Sequence, residues 1–335
     1  MGTAIVVSHS ADAHATSVVA KCIKLGYDAV LWDISLYPKG SSVTIKTSSG
    51  TTQSKTIINI GDRRFAGDDV SGVFWRRPQG AVPEKNPRGM SEYVRQESEV
   101  VRRSLIDLLP TRTNWMSHPE KARLACRKPV QLDVARSIGM RIPTTCITNS
   151  RAEILDFLCR MKGKQITIKP VGTAFMLIAE SGMVNDSENL VVFTKVTRPE
   201  DILANIHLVE NCPVIFQEVI HKDSDIRVTV IDDQAFAAEI TTEGPNDPSN
   251  LDWRNYSLKR CYARHELPMV LQTNCIQVVR QLGLRMGCID LAYSKNDGYT
   301  FFEVNPQGQW LPSEQKLGYD ISGAIAQGLT RCATE

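Results

Sequence analysis

The segment CIDLAYSKNDGYTFFEVN, residues 288–305, constrains the fold more than any other part of the chain. Two runs rich in apolar and aromatic residues flank KNDG, a turn-forming tetrapeptide, so the segment predicts a β-hairpin. Glu303 and Asn305 lie two residues apart in the second run, and strand side chains two residues apart point to the same face. Antiparallel pairing can bring Asp290, from the first run, beside them.

These three side chains form a set of hard oxygen ligands. Mg²⁺ typically binds to a few carboxylates together with substrate phosphates. Asp290 and Glu303 lie inside apolar runs, where an unpaired charge is costly. We therefore expect Asp290, Glu303 and Asn305 to bind a divalent cation. The alternative is two exposed acids and an asparagine that caps a turn.

Two lysines offer the complementary charge. Lys169 is the one cation in the strand-like run QITIKPV, and Lys128 lies in a helical stretch just before an apolar face. An ammonium group is a compact charge suited to phosphate oxygens. Taken alone, each is more typical of a surface lysine whose stem covers apolar surface. Their order along the chain, before the three oxygen ligands, favours phosphate binding.

The stretch FQEVIHKDSDIRVTVI, residues 216–231, interrupts one strand and starts another. The pattern indicates a hinge whose backbone can pair with the edge of an adenine ring. Glu218 and Asp225 lie at either end of this hinge and offer carboxylates to the exocyclic amine and the ribose hydroxyls.

The rest of the chain predicts mixed α/β and α+β structure. The first 60 residues begin with a strand, a helix and a second strand, an order typical of a parallel sheet with a right-handed crossover. A further strand is expected at 71–78 and a long amphipathic helix at 89–109. Residues 114–139 are expected to be helical, and strands dominate from 214 onward.

Composition excludes several classes of protein. The net charge of +2, with 23% charged residues, gives no reason to expect nucleic acid as a partner. Nine cysteines without a CxxC pair favour reduced thiols over a disulfide framework. No apolar run is long enough for a membrane span or a signal peptide, so we expect a cytoplasmic protein without a membrane partner.

Four motifs resemble those of the ATP-grasp ligases and stand in the same order, over roughly residues 115–330: KPVQLDVARSIGMRIPTT, ITIKP, QEVIHKDSDIRVTV and GCIDLAYSKNDGYTFFEVNPQGQW. FWRRP, and EVNPQGQW followed by LGYDISGAIAQGL, are similar to the branch that matures graspetides, the microviridin-type peptide macrocyclases. The resemblance implies a three-part ATP-grasp fold. It consists of an N-terminal pre-ATP-grasp α/β domain (1–118), a central subdomain (119–213) and a C-terminal subdomain (214–335), with ATP between the last two.

The resemblance also implies roles for individual residues. The set expected at the nucleotide is Lys128 and Lys169 at the phosphates, Glu218, Val219 and Ile220 at adenine, and Asp225 at ribose. The set expected at the reaction is Asp290, Glu303 and Asn305 as Mg²⁺ ligands, with Lys169 and Arg227 stabilising the transferring phosphoryl group. The cofactors are then ATP and Mg²⁺.

The implied reaction activates Asp or Glu side chains of a ribosomal precursor peptide as acyl phosphates. Thr, Ser or Lys side chains of the same peptide then form ω-ester or ω-amide macrocycles. The turn-rich segment 241–256 is expected to border the peptide through Trp253 and Arg254, and Arg76 and Arg77 are expected to face the same cleft. A structural role is the alternative for each of these four residues.

Two other functions stay open from the sequence. One is an ATP-grasp ligase that joins an amino acid to a small molecule or a protein C-terminus, similar to the glutamate ligases. The other is a nucleotide-binding regulator without catalysis. The resemblance further implies a homodimer that binds a precursor peptide through its leader and core.

Overall fold

The structure is a computed structural model that describes residues 2–50, 54–78, 90–172, 175–177, 189–191, 195–242 and 260–331. Within these ranges the chain forms five sheets surrounded by helices. None of the described helices is both long enough and apolar enough to cross a bilayer.

The N-terminal unit is built on a parallel sheet with strand order β2-β1-β6-β7. Its elements are β1 (Thr3–Ser8), α1 (Ala13–Lys24), β2 (Ala29–Asp33), β6 (Val70–Trp75), α2 (Met90–Leu108) and β7 (Asn114–Trp115). Every residue of β1 is buried, as expected for a central strand of a parallel sheet. The predicted strand–helix–strand order is confirmed.

A three-stranded antiparallel sheet is inserted between β2 and β6. Its strands are β3 (Ser41–Lys46), β4 (Lys55–Ile60) and β5 (Arg63–Ala66). It packs against the parallel sheet through Ile58, which is buried in one core with Ile5 and Val73.

The central unit contains a four-stranded antiparallel sheet with strand order β12-β9-β13-β8 and a separate β10–β11 pair. Its strands are β8 (Thr145–Thr148), β9 (Ile166–Pro170), β10 (Phe175–Leu177), β11 (Asn189–Val191), β12 (Lys195–Thr197) and β13 (Val214–Glu218). Its helices are α3 (Pro119–Ala125), α4 (Lys128–Ser137), α5 (Arg151–Met161), α6 (Pro199–Ala204) and α7 (Ile206–Val209).

The prediction of a helical stretch over 114–139 is wrong in detail. The segment divides into strand β7 and the two short helices α3 and α4, with a break at Cys126 and Arg127. Pro119 and Pro129 each lie in the first turn of a helix, where a missing backbone N–H does no harm. Pro129 would interrupt a continuous helix, so the chain begins a new one, and this places Lys128 at its first position.

The C-terminal unit is an antiparallel sheet with strand order β16-β15-β14-β17-β18. Its elements are β14 (Ser224–Ile231), β15 (Gln234–Thr242), β16 (Arg260–Arg264), α8 (Met269–Gln281), β17 (Met286–Ser294), β18 (Gly298–Asn305), α9 (Leu311–Leu317) and α10 (Ile321–Thr330). The predicted hairpin over 288–305 is confirmed as β17 and β18, and its turn ends at Gly298, whose φ is +73°.

The two faces of this sheet pack in different ways. One face buries Ile226, Val228, Ile289 and Val304 in a core shared with α8 and α4. Part of the other face, with Ile231 and Cys288, packs into a core shared with α10 and the N-terminal parallel sheet. The polar residues of this second face lie beside that core, where the three units meet.

Candidate functional site

Strand register brings the predicted oxygen ligands together. Asp290 lies directly opposite Glu303, and Cys288 lies opposite Asn305. Arg227, on the next strand, lies opposite Asp290. Because side chains alternate along strands, all of these side chains project from one face of the C-terminal sheet. We call Asp290, Glu303 and Asn305 the acid cluster.

Arg227 contacts the acid cluster from the neighbouring strand β14. Its side chain is only 6% exposed and its Nη1 lies 2.5 Å from Asp290 Oδ1. Burial alone would lower the pKa of Arg227, but the Asp290 carboxylate outweighs burial and the pKa is raised. The guanidinium is therefore always charged. Its observed contact is with Asp290, so its predicted contact with the transferring phosphoryl group stays a prediction.

Lys128 joins the acid cluster to the central sheet. Its Nζ lies 3.8 Å from Glu303 Oε2 and donates a hydrogen bond to the carbonyl oxygen of Pro170 at 3.3 Å. Lys169 lies nearby, with Nζ 5.0 Å from the centre of the Phe302 ring and donating to Gln217 Oε1 at 2.8 Å. Lys128 therefore reaches the acid cluster from the central unit, and Lys169 lies beside Phe302, the residue before Glu303.

Asn305 caps a turn at the end of β18. Its Oδ1 accepts a hydrogen bond from the backbone N–H of Gln307 at 3.0 Å. An amide oxygen has two lone pairs, so the capping bond leaves one for a cation. The two interpretations of this asparagine are therefore compatible.

The residues fit Mg²⁺ only in combination with phosphate oxygens. Among the described residues, no three His, Cys, Asp or Glu side chains are grouped so as to hold a metal ion. Two carboxylates and one amide oxygen leave an octahedral ion short of ligands, which nucleotide phosphates and water supply in many Mg²⁺ sites. The acid cluster thus has the composition of a Mg²⁺–nucleotide site.

Arg76 does not face a substrate cleft. It is 1% exposed, and its guanidinium donates to the carbonyl oxygens of Gln307 and Gly308 and lies 4.8 Å from the centre of the Trp310 ring. Burial and the neighbouring Arg77 lower its pKa to about 10. The expectation that Arg76 contacts substrate is corrected accordingly. Its place is inside the contact between the N-terminal unit and the turn after β18.

Arg77 remains at the surface. Its Nε donates to the carbonyl oxygen of Gln307 at 2.9 Å, and its φ is +39°, an uncommon value for a residue with a side chain. The turn after β18 is thus held by two consecutive arginines from the end of β6.

Gly308 allows this turn to lie close to the sheet. A Cβ at this position would lie 2.5 Å from Cys288 Sγ and 2.6 Å from Arg227 Nη2. Any side chain here would displace the residues beneath the acid cluster.

Gln131 is a contributor to the site that the sequence did not reveal. It is 2% exposed, and its side chain accepts from Val304 N at 2.9 Å and donates to Val304 O at 2.7 Å. Val304 separates Glu303 from Asn305 on the edge strand β18, so Gln131 replaces the backbone partner that a further strand would supply. Nothing in the sequence distinguishes a buried glutamine from an exposed one on an amphipathic helix.

The predicted adenine hinge connects β13 to β14. Val219 and Ile220 are partly exposed at this connection. The Glu218 carboxylate accepts a hydrogen bond from Thr144 N at 2.8 Å, and the Asp225 carboxylate accepts one from Lys222 Nζ at 2.5 Å. The hinge has the expected position between the two sheets, and the contacts of its residues with adenine and ribose stay predictions.

The structure does not describe all of the residues that are expected to contact the peptide. Trp253 and Arg254 fall outside the described residues, as does most of the segment 241–256.

Comparisons with known proteins agree with this arrangement. Residues 3–123 match the family described as the MvdD pre-ATP grasp domain. No curated protein sequence matches the chain.

The chain is similar to solved structures over nearly its whole length, among them the following three. The macrocyclase MdnC from Microcystis aeruginosa MRC, bound with its precursor peptide MdnA, has a TM-score of 0.81 at 26% identity, over 98% of this chain and 99% of its own. A RiPP-associated ATP-grasp ligase from Chryseobacterium gregarium, in complex with ADP and a leader and core peptide, has a TM-score of 0.81 at 24% identity, over 98% and 96%. The ATP-grasp ligase PsnB, complexed with a phosphomimetic variant of its minimal precursor, Mg and ADP, has a TM-score of 0.74 at 21% identity, over 97% of both chains.

The chain thus shares its fold with ATP-grasp ligases that act on precursor peptides, and its residues 3–123 match the pre-ATP-grasp domain family.

Proposed function

We propose that this protein is an ATP-dependent, ADP-forming carboxylate ligase that closes macrocycles in a ribosomally made precursor peptide. The observation that carries the proposal is the convergence of Asp290, Glu303 and Asn305 on one sheet face opposite Lys128. The similar structures support the choice of substrate, because they are macrocyclases and ligases bound to precursor peptides.

The reaction has two steps. A side-chain carboxylate of Asp or Glu attacks the γ-phosphorus of ATP; an O–P bond forms, the bond to ADP breaks, and an acyl phosphate results. The oxygen of Thr or Ser, or the nitrogen of Lys, then attacks the acyl carbon. The C–O bond to phosphate breaks, phosphate leaves with the electron pair, and the nucleophile loses its proton. The product is an ω-ester or an ω-amide.

The chain's part in this reaction is positioning and charge neutralisation. Lys128 and Lys169 bind the nucleotide phosphates. The acid cluster holds Mg²⁺, which neutralises phosphate charge when bound. Arg227 holds Asp290 in place through their ion pair. In the hinge, Glu218, Val219 and Ile220 border adenine and Asp225 binds ribose.

We also propose domain boundaries, peptide contacts and an oligomeric state for this protein. We place domain boundaries at 118 and 213: the first follows the N-terminal parallel sheet, and the second precedes β13 (Val214–Glu218), which still pairs within the central sheet before the C-terminal sheet begins at β14. Trp253, Arg254 and Arg77 contact the peptide. The resemblance to the graspetide branch supports a cytoplasmic homodimer.

The comparisons do not favour a ligase for free amino acids or protein C-termini. D-cycloserine synthetase DcsG has the same fold, but its TM-score is 0.56 at 14% identity, below the peptide ligases.

Mass spectrometry of a co-expressed candidate precursor tests the proposal. We expect loss of one water per ring, together with ADP release that requires the peptide. The matched control is a Glu303→Gln enzyme, which should leave the precursor unmodified. ADP release with free amino acids, and none with any acidic peptide, would contradict the proposal.

A further inference from the structure

A second feature lies next to the acid cluster. A cleft of about 370 Å³ opens between α2, α3, the end of β6 and the turn after β18. Asn305 and Gln307 line one end of it. The volume falls within the range of small-ligand sites, so the cleft has room for a side chain or a short peptide segment beside Asn305.

The cleft carries a net positive charge. Four arginines line it together with two acids: Arg77, Arg102, Arg103, Arg123, Glu99 and Glu120. We call this the arginine cleft. The chain as a whole is almost neutral, with a net charge of +2, so this concentration of guanidinium groups is local.

The two acids orient the arginines but do not occupy all of their N–H donors. Glu99 accepts hydrogen bonds from Arg102 and from Arg103 Nε, the latter at 2.7 Å, and Glu120 accepts from Arg123 Nε at 2.8 Å. Burial alone would raise the pKa of Glu99, but the hydrogen bonds from the two arginines lower it, so the acid stays charged. A guanidinium has five N–H donors, more than one carboxylate accepts.

Apolar residues in the lining of the cleft strengthen the attraction between these guanidinium groups and an anion. Trp75 and Ile106 are among the lining residues and are buried, and the Arg102 guanidinium lies 5.4 Å from the centre of the Trp75 ring. The Arg102 side chain is 18% exposed. Apolar surroundings reduce screening by water, so an anion here is bound more strongly than on an open surface.

We propose that the arginine cleft binds carboxylate side chains of the peptide being modified, and thereby presents an acidic residue to the acid cluster. The guanidinium fork matches a carboxylate in a bidentate manner. That the carboxylates belong to a peptide substrate rests on the proposed function; that the cleft takes carboxylates rests on its lining alone.

Binding of a fluorescently labelled tetraglutamate peptide to the full chain tests the inference, with tetraglutamine as the neutral probe. In an Arg103→Gln/Arg123→Gln double variant we expect the Kd for tetraglutamate to rise at least about tenfold. These two arginines are more than half exposed, so their replacement leaves the core intact, whereas Arg102 packs on Trp75.

Arg95→Gln is the matched control. Arg95 lies on the same helix, is ion-paired with Glu92 at 2.6 Å, and lies outside the cleft lining. We expect its Kd for tetraglutamate to stay within about twofold of wild type, since an exposed charge remote from the site contributes little. An equal loss in Arg95→Gln, wild-type affinity in the double variant, or displacement of the peptide by inorganic phosphate at equal concentration would overturn the proposal.

The same variants separate this inference from the proposed function. If tetraglutamate binds and the double variant weakens it, yet no precursor loses water, the arginine cleft stands and macrocyclisation falls. If a precursor is cyclised with the same KM by wild type and double variant, macrocyclisation stands and the arginine cleft falls. Equal ADP affinity in all variants confirms that each is folded.

Discussion

The two halves of the proposed active site are held in different ways. The acid cluster lies on a sheet whose edge and following turn are fixed by buried side chains from other units: Gln131 on Val304, and Arg76 on Gln307 and Gly308. The lysines belong to the central unit, and the ends of their flexible side chains reach across to Glu303 and Phe302.

The difference teaches how such a site divides its tasks. Oxygen ligands of a metal must lie close to their working geometry, and buried hydrogen bonds hold them there. Phosphate-binding lysines tolerate a less exact position, because an ammonium group is a point charge on a flexible stem. We therefore expect substitutions in the first half to affect turnover and stability, and those in the second half to affect nucleotide affinity.

The largest effect is expected for Glu303→Gln. The amide keeps the shape of the side chain but removes one negative charge from the acid cluster, so turnover measured as peptide-dependent ADP release should fall at least about 100-fold. Asp297→Asn, in the turn of the same hairpin, is the control and should keep its activity. Normal turnover in a folded Glu303→Gln protein would exclude Glu303 from the mechanism.

Arg76→Leu tests the hydrogen bonds that hold the turn. Removing the guanidinium leaves the Asp12 carboxylate, 3.5 Å from Arg76 Nε, without its buried cation. We expect the free energy of unfolding in denaturant to fall by about 3 kcal/mol. Arg77→Gln, at the surface, should lower it by less than about 1 kcal/mol. If the two variants have the same free energy of unfolding, the buried contact of Arg76 does not hold the turn after β18 beside the acid cluster.

Gln131→Leu tests the edge of the sheet. The substitution deprives the backbone N–H and carbonyl of Val304 of their side-chain partners, at a cost of about 1–3 kcal/mol. We expect turnover to fall about tenfold as Glu303 and Asn305 lose their spacing. The control is Asp133→Asn on the exposed side of α4. Unchanged turnover would show that strand register alone keeps Glu303 and Asn305 in position.

Lys169→Met tests the half of the site that the lysines of the central unit form. Loss of the ammonium should weaken ADP binding about tenfold, equivalent to about 1.4 kcal/mol, while the free energy of unfolding changes little. Isothermal titration calorimetry measures the affinity. Lys164→Met, an exposed lysine before the same strand, is the control. A stability loss as large as that of Arg76→Leu would contradict the contrast between the halves.

The smallest effect concerns His14, which packs against Trp310 with ring centres 4.5 Å apart. Burial and the nearby Arg76 lower its pKa from 6.5 to about 4, although Asp12 opposes this and Arg77 adds to it. Between pH 6.5 and 4 the unfolded chain takes up a proton that the folded His14 does not, so the free energy of unfolding decreases as pH falls. The full shift corresponds to about 3 kcal/mol, which the partial exposure of His14 reduces to roughly 2 kcal/mol.

In a His14→Gln protein the part of this decrease that comes from His14 should be absent from unfolding curves recorded between pH 7 and pH 4.5, while His118, whose pKa burial also lowers, still contributes. His207→Gln, an exposed histidine on α7, should keep the wild-type decrease. The pKa of Asp12 is lowered from 3.8, so titration of this carboxyl lies below the window and does not interfere. A His14→Gln protein with the wild-type pH dependence would show that folding does not lower the pKa of His14.

The sequence by itself determined the hairpin over 288–305 and the common face of Glu303 and Asn305, because a strand alternates its side chains with a period of two. That Asp290 joins them was decided by the folded strand: the turn pairs Leu291 with Phe301, and a bulge at Phe302 then shifts the register so that Asp290 lies opposite Glu303. The parallel sheet at the N-terminus followed from the same kind of pattern.

Tertiary structure alone decided which residues support that face. Arg76 and Arg77 are neighbours in the sequence with the same charge, yet one is buried against Trp310 and the other is exposed. Gln131 and the arginine cleft depend on how α2, α3 and α4 pack against the end of β18. Packing between elements distant in sequence leaves no periodic pattern, so the residues that hold the acid cluster, unlike those that form it, appear only when the chain is folded.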